Sequence, residues 1–151
     1  MRVVIRGGAH PHTQAIAGIY HGIELAYETR KVQDIFLAML ERREFEVCEF
    51  SLANYLVLRA NGADWLTALP VFPHRAFRHA LAVTRRESTL SGLADLAGKR
   101  VGVEDYSMTA AVWVRGLLED EYGVDPGSIR WITYRKQRLA LPPQANVEIV
   151  D

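Results

Sequence analysis

The chain has 151 residues, 49% of them hydrophobic, and a formal net charge of zero, with 18 Lys and Arg against 18 Asp and Glu. That length suits one domain or two small lobes with a real core. The lack of a basic excess removes the electrostatic case for nucleic acid and for a surface held to acidic lipid. The single cysteine, Cys48, forbids an internal disulfide and leaves any metal site to histidines and carboxylates. The opening MRVVIRGG reads as a short strand entering a turn rather than a secretory leader. No stretch approaches the roughly 20 apolar residues that span a bilayer. The expectation is a cytoplasmic protein without a membrane partner.

In chain order, Val3 to Ile5 reads as a strand broken at Gly7 and Gly8. A helix is predicted from about Thr13, whose hydroxyl suits a cap, with Ile16, Ile19 and Tyr20 as its apolar face and Gly22 at its end. Ile23 to Tyr27 alternates like a half-buried strand. Val32, Ile35, Phe36, Met39 and Leu40 recur at helical spacing, which predicts a helix from Val32 to Arg42. Phe45 to Phe50 is the next strand, and Ser51 caps a helix that Gly62 stops.

Trp65 to Phe72 reads as a strand ended by Pro73, and Ala80 to Val83 as another. Leu93 to Leu96 is a short helix, followed by a turn at Gly98-Lys99 and a strand from Arg100 to Val103. Met108 to Tyr122 is the clearest helix, capped by Ser107 or Thr109. Its acidic end, Glu119 to Glu121, lies where the helix dipole disfavours negative charge. After a turn at Pro126, Ile129 to Tyr134 and Val147 to Val150 are the last strands. Strands alternating with helices imply a largely parallel sheet covered by helices. A strand at Asn146 to Asp151 needs a neighbour, and reads as a chain that stops early or is completed elsewhere.

Three stretches carry a family resemblance: FEVCEFSLANYLVLRANG (Phe45 to Gly62), LPVFPHRAFRHALAVTRR (Leu69 to Arg86) and DLAGKRVGVEDYSMTAAVWVRGLLEDEYGV (Asp95 to Val124). Together they resemble the 4,5-dihydroxyphthalate decarboxylases and related substrate-binding proteins of transporters. DLAGKRVGV alone is shared widely by type 2 periplasmic-binding proteins and indicates fold only. RAFRH combined with YSMTAAVWVRG is the more specific part. The resemblance covers nearly the whole chain but about the first half of a family member. It implies an α/β fold of the type 2 periplasmic-binding-protein-like class, with three-layer α/β/α lobes and mostly parallel sheets, incomplete in this chain. A first lobe would span 1–79, a partial second lobe 80–151, and a hinge would lie near 73–82.

Within that frame Arg75, Phe77, Arg78 and His79 are the strongest constellation. Guanidinium matches a carboxylate bidentately, and Phe77 is suited to stack on an aromatic ring. If the segment is extended, Arg75, Phe77 and His79 share one face and Arg78 takes the other. The alternative is a hinge with solvated arginines. Ser107, Met108 and Thr109 precede the clearest helix and would cradle an anion, or simply cap it. Ser51 offers the same arrangement earlier.

His12 and Thr13 follow the first strand, where α/β sheets bind ligands. Glu49 ends a strand and would orient a hydroxyl. His10 with His12 suggests a metal pair, although two loop histidines are more often surface residues, and no metal is expected. His21 and His74 have no argument beyond their type. Trp113 reads as core, Arg115 as a solvated face, Tyr55 as either core or site, and Cys48 as a small buried residue. No catalytic triad, phosphate loop or dinucleotide fingerprint is present.

The resemblance implies a carboxy-lyase that converts 4,5-dihydroxyphthalate to protocatechuate and carbon dioxide, needing no organic cofactor. His79 is the first candidate for general acid and His12 the second. Glu49 would accept a phenolic proton, and Arg75 and Arg78 would hold the retained carboxylate. Alternatives are a small-anion carrier or sensor, and an inactive truncated half. A homo-oligomer, or a separate chain supplying the second half, is the expected partner.

Overall fold

The computed structural model describes residues 1–150. It is a mixed α/β structure with mostly parallel sheets, and its backbone divides into two compact units, Met1–Arg75 and the residues from Ala76 on.

The first unit holds β1 (Arg2–Gly7), α1 (Pro11–Gln14), β2 (Gly18–Tyr20), β3 (Ile23–Thr29), α2 (Val32–Arg42), β4 (Val47–Cys48) and α3 (Leu52–Ala60). Its sheet runs β2-β3-β1-β4, with β1 parallel to both β3 and β4 and β2 antiparallel to β3. The chain therefore leaves β1 for one side of the sheet and returns to β4 on the other. The helical spacing of α2 sends Ile35, Ala38 and Met39 into a core closed by Phe45, with Phe36, Cys48, Phe50 and Trp65 against it. The helix stops at Arg43, whose left-handed backbone (φ 50°) ends the hydrogen-bond ladder.

The second unit holds β5 (Arg100–Gly102), α4 (Thr109–Asp120), β6 (Arg130–Thr133) and β7 (Val147–Ile149), in an all-parallel sheet of order β5-β6-β7. Its core is Leu118, Val124, Ile129 and Trp131. The fully buried Trp131 donates its indole N–H to the Pro126 carbonyl at 3.0 Å, so its one polar atom is satisfied.

Several local expectations differ from the structure. The helix expected from Thr13 is only one turn, Pro11–Gln14, and Gly18–Tyr20 is a strand. A two-residue turn at His21 and Gly22 decides this. Both have positive φ, 50° and 79°, as a type I′ hairpin requires. The pairing Tyr20↔Ile23 follows from it, and Ile19 is left 78% exposed rather than on a core face.

The strand expected over Phe45 to Phe50 pairs only at Val47–Cys48. Trp65 to Phe72 forms no strand, and Ala80 to Val83 falls at the end of a 3-10 turn, Arg78–Leu81. These stretches have strand-like composition, but among the described residues no neighbouring strand supplies a ladder for them. At α4 the N-cap position is held by Met108, with Ser107 before it and Thr109 opening the helix.

Candidate functional site

In the first unit the loops after β1 and β4 meet at the carboxyl edge of adjacent parallel strands. The backbone N–H of Gly8 donates to Glu49 Oε2 at 2.9 Å, and His10 Nε2 lies 3.1 Å from the same oxygen. A carboxylate only accepts, so His10 Nε2 carries the shared hydrogen. The Glu49 side chain is 9% exposed and that of His10 19%. Gly8 permits this approach, since a Cβ there would stand 2.8 Å from His10 Nε2.

The loop is held from beneath. Tyr27 donates its hydroxyl to Gly8 O at 2.8 Å, and the buried Thr13 hydroxyl lies 3.0 Å from the Tyr27 oxygen and 2.9 Å from His10 O. His12 is exposed and donates from Nε2 to the Pro73 carbonyl at 3.0 Å. The rings of His12 and His74 each stack 5.7 Å from that of His10. Ser51 is buried, and its hydroxyl accepts from the Asn54 N–H at 3.3 Å, which makes it the N-cap of α3 as expected.

In the second unit Ser107 is buried. Its hydroxyl and its N–H both donate to Asp105 Oδ1, at 2.6 and 2.7 Å. Asp105 is itself 1% exposed and pairs through Oδ2 with Arg138, whose Nε is at 3.5 Å and whose N–H is at 3.3 Å. Gln137 accepts from the Tyr106 N–H at 2.7 Å and donates to Thr133 Oγ1 at 3.2 Å. The turn before Met108 and Thr109 is thus tied to the segment after β6.

Arg115, expected on a solvated face, is half-buried. It lies 3.6 Å over the Tyr106 ring and donates to Tyr106 O at 2.8 Å. Burial draws its pKa below the ordinary guanidinium value, with Tyr106 opposing. Trp113, expected in the core, is 53% exposed.

The constellation at 75–79 is not an extended strand. Phe77 is 89% exposed and Arg75 is exposed. Arg78 begins a 3-10 turn, so the alternation of faces ends there. The exposed His79 sets its ring edge against Tyr122, with centroids 6.3 Å apart. Arg75 closes the first unit, while Phe77, Arg78 and His79 belong to the second.

Among the described residues no three His, Cys, Asp or Glu side chains gather to hold a metal. No helix among them is long and apolar enough to cross a membrane. Burial pushes the Cys48 thiol up to about 11; Arg6 offsets part of the rise and Glu49 adds to it.

Two residues of these networks, His10 and Asp105, carry no site signal in local spacing. The topology of the sheet is what finds His10, because its partner Glu49 is 39 residues away. Asp105 gains its role from Arg138, 33 residues on.

The model of the family described as "ABC transporter, phosphonate, periplasmic substrate-binding protein" matches residues 17–141. Two relatives share the resemblance. A 4,5-dihydroxyphthalate decarboxylase of Comamonas testosteroni is 40% identical over 111 residues, covering 74% of this chain and 34% of the relative. A 4,5-dihydroxyphthalate decarboxylase of Pseudomonas putida is 35% identical over 132 residues, covering 83% of this chain and 51% of the relative. The chain therefore spans about a third and about half of these two relatives.

Proposed function

Because the chain belongs to that family of periplasmic substrate-binding proteins, in a branch whose two relatives here carry a lyase's name, we propose that it takes part in decarboxylating 4,5-dihydroxyphthalate to protocatechuate and carbon dioxide. The observation that carries the reading is the sheltered His10–Glu49 pair at the carboxyl edge of β1 and β4. A carrier of anions needs cations and N–H donors, whereas a decarboxylase needs a proton donor at the ring carbon.

The reaction takes up one proton. The ring carbon bearing the departing carboxylate is protonated, the bond to that carboxylate breaks, and its electron pair restores the aromatic ring. The hydroxyl para to that carbon feeds electron density into it. Arg75 and Arg78 are the guanidinium candidates for the retained carboxylate, and Phe77 is the candidate for stacking on the ring. His12 and His79 are the donors that residue type suggests. The lobes of the fold would span 1–79 and 80–151, with a hinge near 73–82. The same reading assigns the chain to aromatic-acid breakdown in the cytoplasm, without an organic cofactor.

A second reading follows from the family model itself: a small-anion carrier or sensor. The test mixes the full chain with 4,5-dihydroxyphthalate and follows carbon dioxide release and ring absorbance. Turnover is expected. Saturable binding of the acid without turnover would favour the carrier, and neither binding nor turnover would sink both readings.

A further inference from the structure

We propose that His10, oriented by Glu49, is the group that delivers the proton to the ring carbon. The inference rests on the decarboxylase reading and goes beyond it by naming the donor.

Position comes first. In an open α/β sheet, ligands bind outside the carboxyl ends of strands where the chain reverses its direction of winding. That point here is β1, with β3 on one side and β4 on the other. His10 comes from the loop after β1 and Glu49 from the residue after β4.

Geometry comes second. Glu49 Oε2 is fixed by the Gly8 N–H at 2.9 Å and engages His10 Nε2 at 3.1 Å. With Nε2 committed, Nδ1 is the ring nitrogen left for chemistry, and it donates only when the ring is an imidazolium. Thr13 and Tyr27 hold the loop that carries the ring. At 19% exposure the His10 side chain is sheltered yet reachable.

The competing histidines lack this support. The His12 Nε2 is taken by Pro73 O, and His79 packs its edge on Tyr122. Neither pairs with a carboxylate among the described residues.

The step balances. The His10 Nδ1–H bond breaks as the new C–H bond forms, the old C–C bond breaks with its electron pair returning to the ring as carbon dioxide leaves, and the neutral imidazole takes a proton back from water. Glu49 is a positioning residue that holds the ring through Nε2 and takes no part in the proton transfer. The titratable groups facing the ring are Glu49, His12 and His74, with Cys48 beside Glu49.

The test compares His10→Gln, Glu49→Gln and Glu49→Asp with the full chain. His21→Gln on the exposed hairpin turn serves as control. Folding is checked by circular dichroism and substrate affinity by tryptophan fluorescence. His10→Gln is expected to lower kcat by about 10²- to 10⁴-fold with affinity kept within about threefold.

Glu49→Gln is expected to lower kcat with affinity kept within about threefold, and Glu49→Asp to restore part of the loss. A merely structural Glu49 would lower binding and turnover together and would gain nothing from the shorter carboxylate. Wild-type kcat in His10→Gln, equal loss of binding and turnover, or no rescue by Glu49→Asp each overturns the assignment. Absence of wild-type turnover overturns the underlying reading, and this inference with it.

Discussion

A Cβ at position 8 would stand 2.8 Å from His10 Nε2 and 2.9 Å from Val32 Cγ2. Gly8→Ala must therefore push the imidazole off Glu49 or shift the β1 loop. We expect it to destabilise the chain by about 1–3 kcal/mol, as crowding of a packed site does, and to lower turnover more than substrate affinity. Denaturant unfolding alongside steady-state rates checks both, and unchanged kcat would show that the loop accommodates the methyl group.

Cys48 offers a second reading at this scale. Its thiol is pushed up to about 11 from an ordinary 9.0, mainly by burial. A raised folded pKa contributes stability that is fully present below the unfolded value. That stability is lost as pH rises from about 9 to about 11. Unfolding measured across that window should show a decline that Cys48→Ala lacks. At pH 8 the thiolate fraction should be about 100-fold below that of an unperturbed thiol, so iodoacetamide should label Cys48 slowly in the folded chain and fast in denaturant.

At the scale of elements, the turn before α4 depends on Asp105, which is buried and holds both Ser107 and Arg138. Asp105→Ala leaves the Arg138 guanidinium, only 11% exposed, without its carboxylate. Breaking one side of a buried ion pair costs about 3–5 kcal/mol, which thermal unfolding would register. A loss under about 1 kcal/mol would mean that Arg138 swings out to water. Ser51→Ala should cost about 1 kcal/mol through the cap of α3.

The helix α2 was legible to the residue, because its apolar spacing and its packing agree. The hairpin at His21-Gly22 was not. Ile16, Ile19 and Tyr20 fit a helical period, and only the antiparallel partner β3 favours the strand.

Taken whole, the chain has two units, each with its own core. The run from Leu69 to Val83 is rich in exposed apolar side chains, among them Phe72 at 58%, Phe77 at 89% and Val83 at 92%. Exposed loops are where proteases cut first. Brief chymotrypsin digestion followed by mass spectrometry should give first cleavage after Phe77, since the bond after Phe72 leads into Pro73. First cuts inside α2 or α4 would contradict the division. The outer strand β7 also leaves Ile149 55% exposed, and open apolar edges favour association. Light scattering is expected to report a mass above that of one chain.

By itself the sequence determined the α/β alternation, the two long helices, the Ser51 cap and the family, because each is written in local spacing or in contiguous motifs. It also placed Glu49 and Thr13 near the carboxyl edge of the first sheet. Only the tertiary structure decided that Glu49 meets His10, that Ser107 bonds Asp105, and that the 75–79 segment is not a strand. Those outcomes hang on partners tens of residues away or on a missing ladder neighbour. Parallel strand order, which no local period encodes, decides which loops share an edge.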